Sequence, residues 1–296
     1  MKKNILITGD KGFIGNSVES RLSASGHSIF GLSDFLSDVR DLGRKAEALS
    51  KIPVEHVIHL AAKVGVKKSW EDPVEYYSVN VHGTQQVLEF CRQRDASLTY
   101  LSAFVYDPEN CGPFTEDAEV KPSSPYNHSK WLGEELCRFY QEKFNLSCTI
   151  LRPFNLFGIR QKREFLIPEI VHQVESSSER VELRGLSPIR DYLFIEDLMS
   201  LIEMVVDTPS VGTVFNVGTG KGHSVEEVAG IVQKIWGTNK PVCDVGGVRL
   251  FEVDSAVADI TKAKSRLGWG PRYTLEDGLR AIHQHRSADY ASAGRN

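Results

Sequence analysis

Asn4-Ile5-Leu6-Ile7-Thr8-Gly9-Asp10-Lys11-Gly12-Phe13-Ile14-Gly15 decides the fold. Its first five residues have the apolar, β-branched character of a buried parallel strand. Gly9, Gly12 and Gly15 follow at three-residue spacing, and a helical pattern opens at Phe13. The helix start presents free N–H groups and a partial positive charge, and the glycines let a ligand approach the backbone. A G-x-x-G-x-x-G match alone marks a tight turn. Directly after an N-terminal strand and before a helix, it reads as a cradle for a dinucleotide pyrophosphate.

Working outward, short β-rich runs alternate with helical patterns. Strands are expected at 4–8, 27–32, 54–60, 98–102, 148–151, 191–195 and 214–217. Helices are expected at 13–24, 41–49, 72–94, 124–144, 165–174, 196–206, 224–235 and from 274 onward. Asp72-Pro73 and Ser124-Pro125 are N-cap and first-turn pairs, and Ser224-Val-Glu-Glu227 is a capping box. This alternation predicts an α/β fold, a doubly wound parallel sheet with helices on both faces. The more broken second half suggests a smaller α/β lobe. Residues 1–155 with about 187–217 form the expected dinucleotide domain. About 156–186 with 218–286 form the substrate lobe, and 287–296 a tail.

The net charge of −4 leaves no electrostatic footprint for nucleic acid or an anionic membrane. An anionic ligand would be met by a few local cations. Cys91, Cys111, Cys137, Cys148 and Cys243 are odd in number and scattered, which reads as free thiols in a reducing cytoplasm. The apolar run after Met1-Lys2-Lys3 stops at Gly9, too early for a signal peptide, and nothing approaches a membrane span. His283 and His285 point apart on a helix and have no third ligand, so no metal site is expected.

Three further features carry chemistry. The end of the second strand normally holds an acid for the adenosine ribose; Ser33 stands there, followed by Asp34. Ser33 removes a carboxylate that would repel a 2′-phosphate and Asp34 can restore one. NAD(H) and NADP(H) therefore both stay open, with a lean to NADP(H). Tyr126 and Lys130 lie one helical turn apart, a spacing at which the ammonium would pull the phenol pKa down toward the working range. Ser102 ends a strand on the ligand-binding side of the sheet. Each alone is equally a surface pair or a turn cap.

Taken together, the chain resembles the extended short-chain dehydrogenase/reductase superfamily, and within it the nucleotide-sugar epimerase/dehydratase/reductase group. The motifs are the glycine loop, Asp38-Val-Arg-Asp41, His59-Leu-Ala-Ala62, Val79-Asn-Val-His-Gly-Thr84, Ser102-Ala-Phe-Val-Tyr106, Tyr126 with Lys130, Leu151-Arg-Pro-Phe-Asn155, Arg190-Asp-Tyr192 and Ala258-Asp259 with Leu267-Gly-Trp269. The resemblance implies a Rossmann fold and a catalytic set of Ser102, Tyr126 and Lys130. Gly9, Gly12, Phe13, Ile14, Gly15, Ser33, Asp38, Val39, Leu60, Ala61, Ala62, Lys63, Asn80, Tyr126, Lys130 and Pro153 would meet the cofactor. Ser102, Phe104, Tyr126, Asn155, Arg190 and Arg249 would meet a nucleotide-diphosphate sugar, arginine being suited to fork onto its phosphates. The group often pairs through the helix carrying the tyrosine. Trp131, Leu132, Leu136 and Phe139 could cover such a homodimer face or simply fill the core.

Departures narrow the reading. Phe104 stands where 4,6-dehydratases carry an acid, which argues against elimination at C6. Ser33 and the short link to Asp38 resemble 4-ketosugar reductases. The leading expectation is an NDP-4-keto-6-deoxyhexose reductase. An NDP-sugar 4-epimerase is the alternative, and a non-catalytic dinucleotide-sensing protein is the alternative of another class.

Overall fold

The computed structural model describes residues 2–43, 46–208, 213–246 and 253–293. In chain order the strands and helices are β1 (Asn4–Thr8), α1 (Phe13–Ala24), β2 (Ser28–Gly31), β3 (His56–His59), α2 (Val66–Glu71), α3 (Pro73–Tyr77), α4 (Gly83–Arg94), β4 (Ser97–Leu101) and α5 (Pro125–Phe144). They continue as β5 (Cys148–Pro153), β6 (Asn155–Phe157), α6 (Leu166–Glu175), β7 (Val181–Leu183), β8 (Ile189–Phe194), α7 (Ile195–Asp207) and β9 (Val214–Val217). The remainder are β10 (Gly222–Ser224), α8 (Val225–Trp236), β11 (Val242–Asp244), β12 (Ser255–Ala256), α9 (Thr261–Leu267) and α10 (Leu275–Ala293).

Six strands form one parallel sheet in the order β2-β1-β3-β4-β5-β9. The alternation of β1 shows why both faces are covered. Ile5 and Ile7 enter the apolar core with Val18 and Leu22 of α1 and Leu198 and Leu201 of α7. Leu6 enters a second core with Val87 and Leu88 of α4 and Cys137 and Tyr140 of α5. The chain adds β2 on one side of β1 and then crosses to add β3 on the other, so the winding order switches between β1 and β3. Their carboxyl ends therefore open the crevice where ligands bind in such folds.

Local chemistry sets the helix ends. The Asp72 side chain accepts from Glu75 N at 3.2 Å, with Pro73 in the first turn. Ser124 does the same for Asn127 N at 3.2 Å. The expected capping box at Ser224 is present. All five cysteines are free thiols. No helix among the described residues is long and apolar enough to cross a membrane.

The structure departs from expectation in four places. Over 41–49 the described residues form no α-helix, only 3₁₀ turns at Val39–Asp41 and Ala46–Leu49. Gly43 is a poor helix former at that point, and Asp38 is already spent capping the first turn. The 72–94 helix exists but contains a π turn at Ser78–His82. The strand expected at 191–195, within the span given to the dinucleotide domain, joins a second sheet as β8, between β10 and β12 and beside β6. Asp191 pins it there, since its carboxylate takes N–H bonds from Thr219, Gly220 and Ala258. Finally, α10 continues past Ser287 to Ala293, where an unpatterned tail is expected.

Candidate functional site

At the crevice, Gly9 adopts a left-handed φ of +72°, and a Cβ there would sit 2.7 Å from the Ala61 backbone nitrogen. A Cβ on Gly15 would sit 2.3 Å from the Gly9 carbonyl. The loop is therefore packed backbone to backbone against the segment after β3. The first turn of α1, with Phe13 and Ile14 half-buried, holds no acid. Such an N-terminus suits a pyrophosphate, and the residues fit the dinucleotide expected from the sequence.

Some of the predicted cofactor residues, Ser33, Leu60 and Ala61 among them, lie against this loop. Leu60 N and Ala61 N donate to Thr8 Oγ1 at 3.2 and 3.1 Å, with Ala62 next along. Ser33 N donates to Asp10 Oδ1 at 3.1 Å, and Ser33 Oγ donates to the other Asp10 oxygen. Val39 is buried beside Asp38, whose carboxylate binds the Arg40 guanidinium; that pairing holds the Asp38 carboxyl below its ordinary range. Pro153 is buried at the end of β5.

A buried hydrogen-bond chain links this loop to the tyrosine helix. Thr8 Oγ1 meets His59 Nδ1 at 2.7 Å, and His59 Nε2 meets Thr84 Oγ1 at 2.9 Å. Thr84 donates to the Asn80 carbonyl at 2.6 Å. The π turn aims the Asn80 amide at Ser129 Oγ, 2.9 Å away, and Ser129 donates to the Tyr126 carbonyl at 2.7 Å. Lys63 N donates to Asn80 Oδ1 at 2.8 Å, tying in the loop after β3.

His59 and His56 are both held neutral, burial pushing each down to about 3 from an ordinary 6.5. The unfolded chain therefore binds more protons between pH 6.5 and 3. The stability these histidines confer is present above 6.5 and is lost as pH falls through that window. Urea unfolding midpoints should drop across it, and His59→Gln should flatten part of the slope. An unchanged slope in that variant would contradict the assignment.

Tyr126 and Lys130 occupy one face of α5, with Glu134 one turn further. The expected tuning is not what the structure gives. Burial pushes the Tyr126 phenol up to about 12, with Tyr76 adding to it, and Lys130 is not among the causes. Burial pushes the Lys130 ammonium down to about 7, so its positive charge is itself disfavoured. Its Nζ lies over the Tyr100 ring, 4.2 Å from the centroid. Ser102, buried after β4, donates to Glu134 Oε1 at 2.5 Å. Glu134 also binds Arg152 through Nη2 at 2.7 Å and Nε at 2.9 Å, and Arg138 at 2.8 Å. Burial works against the Arg152 charge, but the Glu134 carboxylate more than offsets it and raises the guanidinium pKa.

The predicted substrate residues spread wider. Asn155 on β6 is exposed and pairs in register with Tyr192 of β8, two residues from Arg190. Arg190 Nη1 donates to the Ile189 carbonyl at 2.8 Å. Arg249 lies outside the described residues. The Phe104 ring packs edge-on against Tyr106, Phe114 and Phe154, and Asn127 Nδ2 donates to its carbonyl at 2.6 Å. No cluster of metal-ligating side chains occurs among the described residues.

The model of the NAD dependent epimerase/dehydratase family matches residues 5–218. The chain belongs to that family. Within it, the chain is 30% identical to a UDP-glucose 4-epimerase of Mycolicibacterium smegmatis, covering 93% of this chain and 95% of that one. It is 31% identical to a dTDP-glucose 4,6-dehydratase of Streptomyces griseus, over 97% and 96% of the two chains. The crystal structure of a UDP-glucose 4-epimerase from Thermotoga maritima, with UDP-glucose, superposes with a TM-score of 0.88 at 25% identity, over 97% and 99% of the chains. Family membership makes the chain an NAD(P)-dependent enzyme of nucleotide-sugar chemistry.

Two residues at the centre of this site were missed by sequence reasoning. Glu134 was discoverable: it continues the four-residue spacing of Tyr126 and Lys130 on one helix face. Asp10 sits inside the quoted loop, but nothing in the spacing says that its carboxylate reaches Ser33.

Proposed function

We propose that this enzyme inverts C4 of a nucleotide-diphosphate sugar, oxidising the C4 alcohol and reducing the ketone on its opposite face. The observation that carries this reading is the likeness, over nearly the whole chain, to UDP-glucose 4-epimerases, and the Ser102–Glu134 bond adds to how the site would move the proton. A serine hydroxyl has one proton. With that proton given to Glu134, Ser102 Oγ can only accept, which leaves the O4 proton to Tyr126. The likeness to UDP-glucose 4-epimerases favours inversion at C4 over the 4-keto-6-deoxyhexose reductase suggested by Ser33 and the short link. Phe104, packed in an aromatic cluster, offers no acid for elimination at C6.

Hydride exchange at C4 is the chemistry a bound nicotinamide supplies. The glycine loop and the segment Leu60 to Lys63 would orient the dinucleotide. Tyr126 would move the proton at O4, taking it on oxidation and returning it on reduction. Lys130 would favour the phenolate when it is charged. Asn155, Arg190 and Arg249 would hold the diphosphate.

The test is cofactor accounting. UDP-glucose with catalytic NAD should interconvert with UDP-galactose without net cofactor change. Stoichiometric consumption of NADH or NADPH against a nucleotide 4-ketosugar, with no epimer formed from UDP-glucose, would replace this reading with the reductase.

A further inference from the structure

We infer that Asp10, acting through Ser33, supplies the ribose-reading carboxylate missing from the end of β2, and that the pair selects a dinucleotide with a free 2′-hydroxyl, NAD(H), over NADP(H). The inference rests on the dinucleotide reading of the glycine loop given above.

The lean to NADP(H) came from the uncharged Ser33. The structure shows that a charge is nevertheless present. Asp10 belongs to the glycine loop, and its side chain is almost fully buried, 2% exposed. It crosses to β2, where both of its oxygens engage Ser33, one the backbone N–H and the other the hydroxyl. Room for it is built in. A Cβ on Gly31 would lie 2.6 Å from Asp10 Oδ2, so only glycine at that strand position admits the carboxylate. Burial works against the Asp10 charge, yet the Ser33 hydrogen bonds and Lys11 outweigh it and hold the carboxyl below its ordinary value.

Ser33 is exposed at the strand end where the adenosine ribose is read in this fold. Its one proton goes to Asp10, so its oxygen faces outward as an acceptor only. A ribose 2′-hydroxyl can donate to it. A 2′-phosphate cannot, being itself an acceptor with close to two negative charges. It would also meet the Asp10 carboxylate and the exposed Asp34. The nearby Lys11 amine is shared between them, 3.4 Å from Asp10 and 3.8 Å from Asp34. The next guanidinium along the chain, Arg40, is bound to Asp38 and Glu75.

The test is direct binding of NADH and NADPH to the full chain, followed by nicotinamide fluorescence. The wild type should bind NADH about 100-fold more tightly, the scale of a like-charge clash. Asp10→Asn keeps the shape, removes the charge, and can donate to Ser33 Oγ, freeing the serine proton for a phosphate. It should cut the preference to roughly tenfold or less. Ser33→Ala should weaken NADH several-fold without helping NADPH. NADPH binding as tightly as NADH to the wild type overturns the inference. So does a ratio that Asp34→Asn shifts and Asp10→Asn does not. Failure of both dinucleotides to bind a folded wild type overturns the dinucleotide reading itself.

Discussion

Tyr126→Phe should lower kcat for C4 inversion by about 10³ while leaving dinucleotide affinity nearly unchanged. The substitution removes one hydroxyl. The ring remains to pack edge-on against Tyr76, 6.2 Å between centroids, and the Ser129 bond is to the Tyr126 backbone carbonyl. Nothing that shapes the glycine loop is touched. The loss should therefore fall on proton transfer alone, read as kcat under saturating substrate, with NADH binding as the control. Retained turnover would remove Tyr126 from the proton path. Lost NADH binding would show that the phenol serves the cofactor site instead.

Glu134→Gln should produce the largest loss of stability, about 3–5 kcal/mol, because it strands a buried guanidinium. Arg152 is 1% exposed, and Glu134 supplies its counter-charge through both oxygens. The neighbouring Arg138 would keep Glu135 but lose the Glu134 charge that lies between it and Arg152. Chemical unfolding should show a lower midpoint. The double variant Glu134→Met with Arg152→Met should recover much of the loss, since an apolar pair of similar volume has no charge to desolvate. Equal destabilisation in the double variant would mean that the ion pair itself, rather than its breaking, carries the energy. The same single variant turns the Ser102 partner from a charged acceptor into a neutral amide, so its kcat should fall more than its NADH affinity.

How legible this was in the sequence depends on range. The β1–α1 unit, the caps at Asp72, Ser124 and Ser224, and the alternation of strands with helices are local properties, and they appear where the residues place them. The π turn at Asn80 was not legible, because it comes from tertiary bonds to Lys63 and Ser129. The placement of β8 depended on Asp191 reaching Thr219 and Ala258. The site shows the same division. Tyr126, Lys130 and Ser102 could be picked out by spacing and strand position. Their protonation could not, because burial, which no spacing reveals, is the main cause of the shifts of both Tyr126 and Lys130. Asp10 and Glu134 act on Ser33 and Ser102 across gaps of 23 and 32 residues, so their roles surfaced only with the fold.

The central claim is that hydride leaves C4 of a nucleotide sugar and returns to the same carbon. UDP-glucose deuterated at C4 tests it most directly, with the product read by proton NMR and mass spectrometry. The account predicts UDP-galactose that keeps the label at C4, formed without net oxidation or reduction of the cofactor. Epimer that has lost the label to solvent, or no epimer at all from an enzyme that binds both NADH and UDP-glucose, would contradict it.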